Sequence, residues 1–225
     1  INDMAQHVQE RSTALEEALA GKNSLLRELH HRVKNNFQMI ASLLALQRRE
    51  LPQRLRMLLR VPEDRVLAMA AAYKASYATG EIGHVSTVDL LRDIAAQLRQ
   101  SFGMGAPPIK IEGPEEPIWL DLDQAVPLGL LVSELITPVL ERADAADHPI
   151  AIQARHSEPG VLDIEIESRK IADAMPATGL AERLVNAYRS QIGATLAYPS
   201  DDVALIAIPM QSGASAHPGR VELGA

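Results

Sequence analysis

The chain reads as an α+β protein, a helical hairpin followed by an α/β two-layer sandwich. Three observations predict this. Residues 4–50 contain no Pro and a single Gly, and their apolar residues recur by threes and fours, as on one face of a helix. Beyond residue 83 short β-rich runs alternate with helical ones without regular βαβ spacing. The length of 225 residues, 47% of them hydrophobic, is enough to bury a core.

Element by element, Leu26, Leu29, Val33, Phe37, Ile40, Leu44 and Gln47 form one stripe on the first helix, with a weak point expected at Gly21. Pro52 ends that helix, and a second is expected from about Pro62 to Thr79, with Val66, Met69, Ala70, Tyr73 and Tyr77 on one face. A hairpin has little to bury its stripes against, so a homodimer packed as a four-helix bundle is expected. Ser86 with Asp89 reads as a capping box opening a helix to about Phe102. The runs "IKIEG" and "PIWLDL" read as strands, and an apolar helix is expected from about Asp123 to Leu140. "PIAIQARH" and "VLDIEIES" flank the turn "SEPG". A helix over about 179–192 and the strands "ATLAYP" and "VALIAIP" complete the pattern. The domains are thus expected at 1–83 and 84–210, with a disordered tail over 211–225.

Composition narrows the function. No cysteine means no disulfide, thiolate metal site or cysteine nucleophile, and the cytoplasm is the expected compartment. No uninterrupted apolar run nears the roughly 18 residues of a membrane span, so no membrane insertion is expected. A net charge of −7 argues against a nucleic-acid partner. Yet between Gly21 and Arg60 nine Lys or Arg face only Glu28 and Glu50. A basic segment of this kind is either a solvated helix face, the commoner case, or a docking surface for an acidic partner.

Within that segment stands "ELHHRVKNNFQ", with two adjacent histidines. With Leu29 as zero and about 100° per residue, Leu26, Val33 and Ile40 fall at about 60°, 40° and 20°. His30 falls at about 100°, on the stripe's shoulder, where packing is expected. His31 falls at about 200°, amid the polar face, with Lys34 at about 140°, Asn35 at about 240° and Glu28 at about 260°. An imidazole that accepts a phosphoryl group must be exposed and have its other nitrogen held by a partner. His31 meets the first condition, and Glu28 at i−3 and Asn35 at i+4 are near enough for the second. Arg32 and Lys34 could balance phosphoryl charge. On spacing alone, two surface histidines of a helical bundle carry more weight. A metal site is weaker still, since adjacent positions diverge by about 100°.

The run "LLRELHHRVKNNFQMIASLLALQ" resembles the phosphoacceptor box of the HWE/HisKA-related bacterial sensor histidine kinases, whose signature includes H-R-x-K-N. The resemblance continues through "RVLAMAAAYKASYATG" and "VDLLRDIAAQL". It implies His31 as phosphoacceptor, a dimeric helical bundle, and a following ATP-binding sandwich of the GHKL (Bergerat) type.

The sandwich departs from that pattern. The family's E-L-x-x-N run reads "ELITPVLERA" here, so Glu134 and Leu135 match but Pro138 stands at the Asn that holds Mg²⁺. Proline offers no side-chain oxygen, and a kink or an end of the helix is expected there. The D-x-G-x-G motif is missing from "SRKIADAMPATG", and the later glycine loop survives only as Gly179-Leu180-Ala181. The expectation is therefore a histidine phosphotransferase that has lost ATP binding. His31 would carry a phosphoryl group between the aspartates of response-regulator receivers, which bring their own Mg²⁺, so no cofactor is expected on this chain. The alternatives are a divergent ATP-dependent kinase and a non-catalytic dimeric scaffold.

Overall fold

The computed structural model describes residues 2–78, 83–103, 105–142, 148–174 and 179–210. Helix α1 (Asn2–Glu50) passes Gly21 unbroken. A glycine costs a helix about 1 kcal/mol, too little to interrupt one of this length. After Pro52 and a 3₁₀ turn, α2 spans Met57–Ala78. It begins at Met57 rather than near Pro62, and carries Pro62 inside. The missing N–H would have met the carbonyl of Leu58, a residue 68% exposed, where water can substitute. The side chain of Tyr77 and the tail over 211–225 lie outside the described residues.

The second part runs β1 (His84–Ser86), α3 (Thr87–Phe102), β2 (Ile109–Glu112), β3 (Trp119–Asp121), α4 (Leu122–Leu140), β4 (Ile150–Glu158) and β5 (Val161–Glu167). It continues through α5 (Ile171–Ala174), α6 (Leu180–Gln191), β6 (Thr195–Ser200) and β7 (Val203–Pro209). The Ser86 side chain caps α3 by accepting from the Asp89 amide at 3.4 Å, as the capping box predicts. Strands β1 and β3 form a small antiparallel ribbon. The main sheet has the order β2-β4-β5-β7-β6, parallel only between β2 and β4.

Alternation in the central strands sends Ile150, Ile152 and Ala154, Leu162, Ile164 and Ile166, and Ala204, Ile206 and Ile208 into the core. Leu90, Leu91 and Ile94 of α3 and Leu128, Leu131 and Leu135 of α4 are buried in the same cluster. The opposite face carries Gln153, Arg155 and Glu165, the last two paired at 2.8 Å. This is the expected α+β architecture, a helical part followed by a two-layer sandwich.

The core does not stop at the sandwich. Ala71, Ala72 and Ala75 of α2 belong to the same buried cluster as α3, α4 and the sheet. Close approach is allowed by Gly129 of α4, where a Cβ would lie 3.0 Å from Ile94 Cδ1 and 3.8 Å from the Ala68 carbonyl oxygen. Among the described residues α4 alone is long and apolar enough to cross a membrane, and 67% of that stretch is buried inside the fold.

Candidate functional site

His30, Phe37 and Arg48 of α1 contact α2. The His30 and Tyr73 rings meet edge to face with centroids 5.8 Å apart, and Phe37 lies 5.6 Å from the same ring. Arg48 Nε donates to Glu63 Oε2 at 2.9 Å. On the helical wheel these three fall within about 20° of one another, so they define the direction of the seam. His30 is half-buried there, as its shoulder position predicts, and Ala41 beside it is buried.

His31, about 100° further round, is exposed. Of the four residues grouped with it by sequence, Asn35 is exposed and Lys34 half-buried. Glu28 and Arg32 are exposed and pair with each other. Arg32 Nε donates to Glu28 Oε1 at 3.1 Å, and Nη2 donates to the same oxygen. The carboxylate that sequence reasoning offered to His31 thus faces a guanidinium one turn on. An exposed pair of this kind contributes at most about 1 kcal/mol.

The predicted apolar stripe divides into two. Leu26, Val33, Phe37 and Leu44 are half-buried, whereas Leu29, Ile40 and Gln47 are exposed. Leu15, Leu25, Leu29, Met39, Leu43 and Leu46 are each more than half exposed. From Leu25 onward they keep heptad spacing, broken by Arg32 and Asn36 where the rhythm calls for apolar residues. Among the described residues nothing of the same chain covers this second seam.

On the sandwich, Glu134 is buried in a bidentate pair with Arg65 of α2, Nε to Oε1 at 2.5 Å and Nη2 to Oε2 at 3.1 Å. The hydrogen bond to Glu134 raises the Arg65 pKa, and burial with the neighbouring carboxylate raises that of Tyr188 on α6. About two turns on, at the C-cap of α4, Glu141 accepts from Arg60 at 2.9 Å, and the Arg60 guanidinium sits 3.8 Å over the Phe102 ring. Pro138 lies between the two carboxylates. The helix does not end at Pro138 but continues for two residues to Leu140, so the proline falls in its last turn.

Past β5 a left-handed turn is made at Lys170, φ +52°, whose amide donates to Asp202 Oδ1 at 2.6 Å. A non-glycine residue in that conformation costs about 1 kcal/mol. Gly179 precedes α6 with φ +101°. Residues 175–178, where part of the expected loop falls, lie outside the described residues. Sequence reasoning missed Asp64 and Arg65, and placed Arg60 in the basic segment and Tyr73 on the apolar face without assigning either a contact. The available signal was the run Glu63-Asp64-Arg65 inside an otherwise apolar, Ala-rich helix.

Residues 28–102 match the family HisKA_2, described as histidine kinase. The sensor histidine kinase PdtaS of Mycobacterium tuberculosis is 33% identical over 150 residues, 62% of this chain and 28% of that protein. These matches support a histidine kinase family. PdtaS of Mycolicibacterium smegmatis is 32% identical over 127 residues, 56% of this chain and 25% of that protein. The chain thus spans about a quarter of the length of both relatives. The histidine kinase domain of the Erythrobacter litoralis EL346 blue-light activated histidine kinase superposes with a TM-score of 0.57 at 19% identity. It covers 84% of this chain and 94% of that one, a likeness of fold. The segment matched to the histidine kinase family contains His31, the seam that α1 forms with α2, and α3.

Proposed function

We propose that this histidine kinase-type protein of two-component signalling acts as a histidine phosphotransferase. His31 receives a phosphoryl group from the aspartate of one response-regulator receiver and passes it to another. On receipt a ring nitrogen of His31 uses its lone pair to form the P–N bond while the P–O bond to the first receiver's aspartate breaks, that carboxylate leaving with the electron pair. On passing, a carboxylate oxygen of the second receiver's aspartate forms the new P–O bond, the P–N bond breaks and its electron pair returns to the ring nitrogen. The receiver supplies Mg²⁺, and this chain supplies an exposed imidazole on a helix that carries the exposed Lys22 and Arg49, with Arg54 exposed in the turn beyond it.

The observation that carries the reading is the state of α4. Its Pro138 has no side-chain oxygen to give a metal, and each oxygen of Glu134 accepts from Arg65. These residues do not fit Mg²⁺–ATP, so the phosphoryl group comes from another protein. The exposed heptad seam supports a homodimer built along α1, and the change from two long helices to short strands and helices from His84 onward supports a hairpin over 1–83 and a sandwich over 84–210.

The resemblance to PdtaS favours a second reading, a divergent ATP-dependent kinase. Radiolabel decides between them. The protein and His31→Ala are offered γ-labelled ATP in one tube and phosphorylated receivers in another. Label arriving from receivers only, and lost in the variant, is the expected result. Label arriving on His31 from ATP alone establishes the kinase and sinks the relay.

A further inference from the structure

Where α1 leaves its partner helix, one aromatic residue of α2 meets rings on either side of His31. Tyr73 stands near the end of α2, which stops at Ala78. Its ring touches His30 at 5.8 Å and Phe37 at 5.6 Å, two residues a pair of turns apart on α1. Toward the N-terminus α1 soon runs alone, with every residue from Arg11 to Leu25 exposed. Tyr73 is itself held from behind. Its neighbour Lys74 pairs with Asp93 of α3 at 3.0 Å, and Ala71, Ala72 and Ala75 are sunk in the common core. The rings therefore connect a helix anchored in the core to α1 just where α1 runs out from it, beside the half-buried Leu26 and Val33.

We infer that Tyr73 is a positioning residue for phosphoryl transfer, keying His30 and Phe37 so that His31 is presented outward at a fixed angle. The inference rests on the relay reading. With a side-chain radius of about 5–6 Å, a roll of about 20° carries the imidazole roughly 2 Å sideways. In-line transfer loses rate steeply at displacements of about 1 Å. A small donor that approaches from any direction does not need that angle, whereas a receiver docked on the hairpin does.

The test separates these two demands. Wild type, Tyr73→Phe, Tyr73→Ala, His30→Ala and the double variant Tyr73→Ala/His30→Ala are loaded on His31 with phosphoramidate. Each is then mixed with purified receiver domains over a range of concentrations. Loading by phosphoramidate is expected to be the same in all five. The maximal transfer rate is expected to fall at least tenfold in Tyr73→Ala with an unchanged half-saturating receiver concentration, and to recover in Tyr73→Phe, which keeps the ring. The double variant should be no slower than the slower single one, because both remove the same contact. Wild-type transfer rates in Tyr73→Ala, or a loss in Tyr73→Phe as deep as in Tyr73→Ala, overturn the inference and leave the relay standing. If loaded wild type transfers to no receiver, the relay reading fails and the inference falls with it.

Discussion

Replacing Asp64 by Asn is expected to stabilise this protein by an amount that grows with pH. Asp64 is 7% exposed at the junction of α1, α2 and α3, and its Oδ2 has no hydrogen-bond partner. Burial pushes its pKa from 3.8 to about 6; a hydrogen bond from Ser101 and the charges of Arg60 and Arg48 oppose the rise, and Glu63 adds to it. A difference of about 2 in pKa corresponds to about 3 kcal/mol, at about 1.4 kcal/mol for each. The folded state keeps this proton after the unfolded chain has lost it. The stabilisation is therefore complete below pH 3.8, falls as pH rises, and is lost above about 6. Asn carries no charge to desolvate, and its amide oxygen can still accept from Ser101. The variant's advantage over wild type should grow by about 2 kcal/mol between pH 4 and pH 7 and then level off. Urea unfolding of both proteins at pH 4, 5, 6, 7 and 8 measures it. A pH-independent difference, or one that shrinks toward pH 7, would refute the reasoning.

Other perturbations test the remaining contacts. Arg65→Ala strands Glu134 as a buried, unpaired carboxylate and should cost about 3 kcal/mol in urea unfolding at pH 7. Leu29→Asp with Leu43→Asp places charge on the uncovered seam; light scattering should report a shift from dimer to monomer with helix content retained by circular dichroism. His31→Ala removes an exposed side chain and should change unfolding stability by no more than about 0.5 kcal/mol, so its loss of label reports chemistry rather than folding.

Local signals carried most of the fold into the sequence. The capping box at Ser86 and Asp89, the turn between His156 and Val161 and the alternation in "VALIAIP" are written within a few neighbouring residues. The face of His31 was legible for the same reason, because helix phase is arithmetic once the helix is granted. What was not legible depends on partners distant in the chain. A wheel cannot divide one apolar stripe between a helix of the same chain and a face left open. Leu26 and Leu29 are three residues apart, yet one is half-buried and the other exposed. Nor could Arg65 be assigned to Glu134 across 69 residues, or Arg60 to Glu141 across 81, since nothing local marks either partner. The start of α2 was misplaced because Pro62 reads as a first-turn proline, while the helix carries it beside an exposed carbonyl.

The same long-range contacts bear on why the sandwich persists beside a histidine that, on the relay reading, no longer needs ATP. A catalytic domain that delivers phosphate must approach and withdraw, and such motion is served by a thin, polar interface. Here the interface holds two Arg–Glu pairs, a guanidinium stacked on Phe102, and three alanines of α2 inside the sandwich's own core. Parting them would leave Glu134 and Asp64 to be rehydrated and a stretch of apolar core opened to water, a loss far larger than thermal energy. Yet α2 buried against α3 and α4 is what gives Tyr73 a fixed base. On the relay reading the sandwich's part is therefore a fixed one: it holds α2, Tyr73 of α2 meets the rings of His30 and Phe37, and His31 faces outward, where a receiver would dock.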